Sequence, residues 1–346
     1  MTTPHDPRAQ RRIAPRALRA RPPALAIAFL LALAPLLPAA PAAAQTVIRV
    51  DGSSTLYPMS EAAAREHQVR LRGLVRVPVE ISGTRGGFRK FCRGETELQD
   101  ASRPILDEEQ AICRANGVRY IELPIAYDAL TVVVSARNAF ATRVRLVDLR
   151  RVWERSAEGT RSTWQAVNDA WPATPLALYG PGADSGTLDY FIEAVIGEGG
   201  AIRRDYRGSE DDRFLATAMA DDPAAFGILP YSYAIRLGDR LRLLPVDDVL
   251  PSVESVTSGR YQPLSRPLFL YVAERAATRP DVREFVTRYL ADASRLASSA
   301  GLVPLPHPAY ALVGERFRQQ RLGTAFDGRS AVGLSFEQLL QRETAR

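Results

Sequence analysis

The sequence predicts an α/β fold with mostly parallel sheets, and three observations predict it. Short apolar or β-branched runs alternate with longer segments of helical spacing along most of the chain. Turns rich in glycine and hydroxyl residues join the first kind of segment to the second. The 346 residues, less an N-terminal leader, exceed one typical domain, so two lobes are expected.

The elements follow in order. "TVIRV" (46–50) is a strand bounded by "DGSS", and "LYPMSEAAAREHQVRL" has helical apolar spacing. "VPVEI" (77–81) is a second strand, ended by "SGTRGG", and "FRKFCRGE" opens the next helix. "LQDAS" is a strand. "DEEQAICRAN" is a short helix with its acids in the first turn, where they suit the dipole. "YIELPI" and "ALTVVVS" are two further strands. The second half repeats the grammar: helix "LVDLRRVWE", strand "PLALYG", helix from "SGTLDYFIEAVIGEGG", helix "DDRFLATAMADD", then strand-like "AAFGILPYSYA" and "LRLLPV". "RPLFLYVA" (266–273) is a strong strand, and "PDVREFVTRYLADASRLASSAG" a helix with Pro280 at its start and Gly301 past its end. The tail from about 308 holds helical pieces around "LGTAFDGRSAVG" and suggests no role.

Residues 1–44 differ from the rest. Six arginines precede the apolar stretch "ALAIAFLLALAPLLPAA", and "PAAAQT" places small residues at Ala42 and Ala44. This is the pattern of a secretory signal peptide cut after Ala44, so export is expected, with a retained membrane anchor as the alternative. The chain's formal charge is +6, but the leader holds six of its 45 basic residues and one of its 39 acidic ones. The remaining 39 against 38 leave about +1, so the basic balance does not argue for nucleic acid. Cys92 and Cys113 are an isolated pair in an exported chain and read as one disulfide worth about 3 kcal/mol, with two buried thiols as the alternative. His5, His67 and His307 are scattered, which gives no metal-ligand spacing. Nothing calls for a cofactor.

Three segments share a strand, a small hydroxylic turn and a helix start: "VDGSSTLYP" (50–58), "ISGTRGGF" (81–88) and "YGPGADSGTLDYF" (179–191). The first amides of a helix lack intrahelical partners, and its dipole makes that end positive. Ser and Thr add hydroxyl donors, and glycine lets backbone amides approach a ligand. Each turn alone reads equally as an ordinary N-cap. Three together, two of them with Ser-Gly-Thr, fit an anion cradle at the strand ends of an open sheet. The loop "DASRPI" (100–105) adds Ser102 and Arg103, whose guanidinium offers a fork of donors to an anion or, equally, forms a surface salt bridge.

Taken in order, "GSSTLYP", "ISGTRGGFRKFCRGE", "ASRPI", "ELPIAYDALTVVV", "YGPGADSGTLDYF", "SEDD", "PLSRPLFLYV" and "GLVPLP" resemble the substrate-binding proteins of bacterial phosphate ABC transporters. The resemblance covers about 47 to 340 and is strongest to the subgroup also found in cyanobacteria. It implies a two-lobed type II periplasmic-binding (Venus-flytrap) fold with a two-segment hinge near 127–133 and 266–272. One lobe would combine 45–126 with 273–346, the other would be 127–265, and 266–272 would be the return hinge strand. It implies phosphate held dry between the lobes by Ser54, Thr55, Ser82, Gly83, Thr84, Ser185, Gly186 and Thr187, with Ser53 adjacent. Some relatives carry Asp where this chain has Arg103, and Arg where Pro181 stands. Arg103 is therefore the expected charge partner. Asp184, Glu210 and Asp211 are the carboxylates available to accept the phosphate proton, Asp211 foremost, with "SEDD" reading equally as the cap of the helix that follows it.

The expected function is capture of inorganic phosphate and its delivery to the permease subunits of an ABC transporter, by a monomer that is not an enzyme. Other readings are the same fold on sulfate, molybdate or arsenate, or a phosphate sensor or scavenger uncoupled from transport. A hydrolase built on Ser54 or Ser185 lacks parts: "GADSG" is not a G-x-S-x-G elbow, and neither His67 nor His307 has an evident partner. Trp153, Trp164 and Trp171 read as packing residues rather than as a sugar platform.

Overall fold

The computed structural model describes residues 45–328 and 331–344; the expected signal peptide at 1–44 lies outside them. Among the described residues no helix is long and apolar enough to cross a membrane. The strands, in chain order, are β1 (Thr46–Val47), β2 (Val50–Gly52), β3 (Val75–Arg76), β4 (Leu98–Ala101), β5 (Tyr120–Ser135), β6 (Ala177–Pro181), β7 (Arg207–Ser209), β8 (Ala225–Pro230), β9 (Leu241–Leu244) and β10 (Ser265–Ala273). β1 pairs with β3. The others form a sheet of order β2-β4-β10-β5-β8-β6-β7, with β9 also on β5.

β5 organises this sheet. All sixteen of its residues are buried, which is why the run reads as continuously apolar rather than alternating. Its first part, Tyr120–Ala129, pairs with β10, and its last part, Leu130–Ser135, pairs with β8 and β9. The sequence suggests two strands here, "YIELPI" and "ALTVVVS", separated at 126–128. The register instead shifts at Leu268/Phe269, opposite Ala126 and Pro124, so a bulge at Ile125 accommodates the proline and the strand runs on. On either side lies the expected parallel grammar: β2 is parallel to β4, and β6 to both β7 and β8. The central pairs β10–β4, β10–β5, β5–β8 and β5–β9 are antiparallel, so the sheet is mixed rather than mostly parallel.

The helices that matter for the site are α1 (Tyr57–Arg70), α2 (Gly83–Cys92), α3 (Asp107–Ala115), α4 (Leu146–Trp153), α5 (Gly186–Phe191) and α6 (Asp212–Asp221). α2 begins earlier than the sequence suggests, inside "SGTRGG". Gly83 opens it at φ +73°, a conformation that a side chain resists. "TVIRV" divides into β1 and the start of β2. "VPVEI" keeps only an isolated bridge, Val79 to Val50. "YSYA" is a helical turn after Pro230 rather than strand. Cys92 on α2 and Cys113 on α3 are joined by a disulfide. Two apolar clusters form among the described residues: a large one that runs from β2 and β4 across β10 and β5 to Trp153, Trp164 and Phe226, and a smaller one that includes Val133, Tyr179, Leu215, Met219, Leu229 and Tyr233. Trp153, Trp164 and Trp171 are buried, with edge-to-face contacts to Phe191, Phe226 and Phe140. The tail docks on β5: Gly323 N donates to Tyr120 O, and Phe336 stacks on Tyr127 at 4.0 Å.

Candidate functional site

The first two hydroxylic turns are not ordinary caps. The N-cap of α1 is Leu56, and none of Ser53, Ser54 or Thr55 caps it with a side chain. Ser82 stands at the N-cap of α2 without a capping bond; its hydroxyl donates to Asp51 Oδ2 at 3.0 Å and lies beside Lys90. Only the third turn caps in the usual way, with Ser185 Oγ accepting from Thr187 N at 3.1 Å. A buried hydroxyl that does no capping needs another partner.

Those partners lie on the other turns. Ser53 Oγ meets Ser102 Oγ. Thr84 Oγ1 accepts from Ser102 N at 3.0 Å. Thr55 Oγ1 and Thr187 Oγ1 are 3.4 Å apart, and Ser54 Oγ donates to Asp212 Oδ2 at 2.6 Å. The glycines make this approach possible. A Cβ on Gly186 would sit 2.5 Å from Thr84 Oγ1, and one on Gly83 would sit 2.4 Å from the Asp184 carbonyl oxygen. The three turns predicted separately from sequence are thus brought into contact, and Ser53, Ser54, Thr55, Thr84, Ser102, Ser185 and Thr187 are all buried. Ser82 is half-buried, with its hydroxyl turned to Asp51 and Lys90.

The guanidinium beside these hydroxyls belongs to Arg266 on β10. Its Nη2 donates to Thr187 Oγ1 at 2.8 Å, to Thr55 Oγ1 at 3.3 Å and to Asp128 Oδ2 at 3.1 Å. Arg266 is fully buried with its guanidinium over the Tyr190 ring, yet among the described residues its Nε and Nη1 have no hydrogen-bond partner. Arg103 is buried too, but its donors are committed: Nε to Asp189 at 2.8 Å, Nη1 to Glu109 and the Pro104 carbonyl, and Nη2 to Glu109 at 2.8 Å. Two carboxylates within reach claim the fork that the sequence reading assigned to an anion.

The acidic groups are also redistributed. Asp211 caps α6 through Arg213 N and pairs with the Arg213 side chain, and Asp184 is held by a bidentate Arg89. Glu210 Oε1 accepts from Asp184 N at 2.8 Å. The carboxylates in contact with the hydroxyl cluster and Arg266 are instead Asp212 and Asp128. Burial pushes Asp212 up to about 7 and Asp128 up to about 6, in each case against the lowering influence of Arg266. The backbone N–H groups of Ala129 and Tyr231 lower Asp128 further. The site therefore offers unused cationic N–H groups, several hydroxyls, and two carboxyl groups that titrate close to neutrality. Such a set binds an oxyanion and can accept a hydrogen bond from one that still carries a proton.

Arg266, Asp128 and Asp212 were not singled out as ligand residues from sequence. The signal was present: Arg266 and Asp128 are lone charges inside "SRPLFLYV" and "AYDALTVVV", runs otherwise made for a core. Asp212 was hidden one residue from Asp211.

Comparison with known proteins fits this chemistry. The model of the PBP superfamily domain matches residues 38–292. Protein SphX of Synechococcus elongatus is 44% identical over 306 residues, covering 87% of this chain and 90% of that protein. The phosphate-binding protein PstS of Staphylococcus haemolyticus is 31% identical over 266 residues, covering 75% and 81%. Among solved structures, one described as a possible phosphate binding protein from Planctomyces limnophilus matches with a TM-score of 0.60 at 34% identity, covering 80% of this chain and 99% of that one. An ABC-type phosphate transport receptor from Vibrio cholerae shares the fold, with a TM-score of 0.56 at 18% identity, covering 75% and 100%.

Proposed function

This chain belongs to the PBP superfamily, in the family of SphX and the phosphate-binding protein PstS, and from that premise we propose that it captures inorganic phosphate for an ABC permease. The observation that carries the proposal is Arg266: a fully buried guanidinium with two nitrogens that have no hydrogen-bond partner among the described residues, set beside Thr55, Thr187 and two carboxyl groups. An uncompensated buried donor is costly, and an oxyanion is the partner it fits.

In this reading phosphate lies between two lobes. One is built on the β2-β4-β10 side of the sheet and the other on the β8-β6-β7 side, with β5 and β10 as the crossing strands. The lobes are taken as 45–126 with 273–346 against 127–265, with 266–272 as the return hinge strand. Arg266 supplies the positive charge. The hydroxyls of Ser54, Thr55, Thr84, Ser185 and Thr187, together with the first amides of α2 and α5, supply neutral donors. Gly83 and Gly186 keep Cβ atoms out of the way. Asp212 or Asp128 accepts the proton that phosphate carries near neutral pH and sulfate lacks, which separates the two anions. Arg103 and Ser82 act behind the ligand shell rather than within it. The signal peptide, periplasmic location, monomeric state and permease contact belong to the same proposal.

A calorimetric titration of the protein from residue 45 onward with phosphate and sulfate in parallel tests it. Micromolar binding, about −8 kcal/mol, is expected for phosphate and none for sulfate. Equal binding of both, or silence toward phosphate, would overturn it.

A further inference from the structure

The Arg103 side chain, barred from a ligand role by its partners, opens onto a larger arrangement. Asp189 lies two residues beyond Thr187 on α5. Its Oδ1 accepts from Arg85 Nη2 at 2.7 Å and its Oδ2 from Arg103 Nε at 2.8 Å. Five residues earlier, Asp184 accepts from both terminal nitrogens of Arg89 at 2.8 and 2.6 Å, and its carbonyl accepts from Arg85 N at 2.9 Å. All three arginines belong to α2 or to the loop after β4, and both aspartates belong to the segment that follows β6. Every one of these bonds therefore runs from one side of the sheet's division to the other.

The arginine side of this contact is braced. Glu109 on α3 holds Arg103 bidentately at 2.8 Å and also accepts from Leu106 N at 3.0 Å. The Cys92–Cys113 disulfide fastens α3 to α2, which carries Arg85 and Arg89. Arg103 and Asp189 are well buried, with side chains 5% and 14% exposed, whereas Arg85 and Arg89 are open to solvent at 38% and 47%. A cavity of about 690 Å³ lies over the buried pair, lined among others by Arg85, Arg103, Asp189 and Tyr190, and gives solvent ions a route to it.

We propose that Asp189 is a positioning residue for anion binding: gripped by Arg103 and Arg85, it seats the N-terminus of α5 against the Thr84 turn and latches the cleft shut. The proposal rests on the binding function given above and assigns the residues behind the ligand shell. Asp189 touches no ligand. It acts through Thr187, one half-turn away, whose hydroxyl must meet Thr55 and Arg266. Bonds that form only on closure slow dissociation more than they speed encounter, because the encounter complex precedes them. They also make closure sensitive to ionic strength, in proportion to their exposure.

The test compares wild type with Asp189→Asn by stopped-flow dissociation of phosphate at low and high potassium chloride, and by small-angle scattering of the ligand-free protein. Asparagine keeps the size of the side chain and removes its charge. The expected result is dissociation about tenfold faster or more, an on-rate within about twofold, an unchanged preference for phosphate over sulfate, and a loss of the wild-type acceleration by salt. The ligand-free radius of gyration should rise in the variant. Unchanged dissociation together with an unchanged radius would overturn the latch, and so would an altered phosphate-to-sulfate preference, since that belongs to ligand contact. Failure of wild type to bind phosphate would overturn the binding function instead. The scattering comparison then decides the latch alone, with an equal radius in both proteins overturning it.

Discussion

Arg266 and Asp128 are direct cross-strand partners in the antiparallel pair of β10 and β5, and Arg266 Nη2 lies 3.1 Å from Asp128 Oδ2 with both side chains fully buried. The pair is not closed on itself. Among the described residues two Arg266 nitrogens, Nε and Nη1, have no hydrogen-bond partner. A buried ion pair left incomplete destabilises the ligand-free fold, and an anion that completes it recovers that cost as binding energy.

Replacing Arg266 by lysine keeps the charge for Asp128 but removes the planar fork. Phosphate affinity in Arg266→Lys should fall by at least about a hundredfold, as for loss of a buried, charge-assisted bidentate contact. The melting temperature should change little. Calorimetry beside a thermal scan checks both, and retained micromolar binding would remove Arg266 from the site.

Gly186 tests the packing of the turns. In Gly186→Ala the new methyl carbon would meet Thr84 Oγ1 at 2.5 Å and Thr84 Cβ at 2.7 Å. The clash lies in the contact between turns, not inside either one. Binding should weaken about tenfold or more while the stability of the ligand-free protein stays within about 1 kcal/mol. Normal binding would show that the turns need not meet to hold the anion.

Thr187→Val removes a hydroxyl at constant shape. It strips Arg266 Nη2 of its acceptor at 2.8 Å and Thr55 of its neighbour at 3.4 Å. Affinity should drop by one to two orders of magnitude, about 1–3 kcal/mol for a buried group left unsatisfied. An isothermal titration indistinguishable from wild type would exclude the third turn from the cage.

Asp212 makes stability depend on pH. Burial raises its pKa from 3.8 to about 7, so the folded state binds the proton more tightly than the unfolded chain does. This contribution is fully present below about pH 4 and is lost as pH rises through about 7. Asp212→Asn has no such proton to lose. The variant, ligand-free, should therefore gain on wild type as pH increases from 4 to 8, by a few kcal/mol at most. Urea unfolding at pH 4, 6 and 8 measures the difference, and a difference that is flat across this range would contradict the assignment.

The disulfide separates stability from binding. Cys92 and Cys113 are 21 residues apart, so replacing both by serine should cost about 3 kcal/mol in urea unfolding. The direct anion contacts lie elsewhere, and phosphate selectivity over sulfate should survive. A loss of selectivity without a loss of stability would reverse this division of roles.

The sequence by itself determined the three turns. Their chemistry is local: small residues, hydroxyls and the start of a helix within a few positions, as in "GSSTLYP" and "ADSGTLDYF". It also determined most strands and helices, through apolar spacing, and the cysteine pair, through its isolation. It divided β5 at 126–128, where Asp128 interrupts the apolar run, whereas pairing with β10 carries one strand through from Tyr120 to Ser135. The charge in the site was decided by tertiary structure alone. Along the chain Arg103 is the expected partner, and Arg266 reads only as part of the strand "RPLFLYVA". Glu109, six residues away, and Asp189, 86 away, claim the first, while Asp128, 138 away, occupies only part of the second. Local patterns fix which groups can donate. Which donors remain free depends on where distant carboxylates fall when the sheet closes, and no short-range signal carries that.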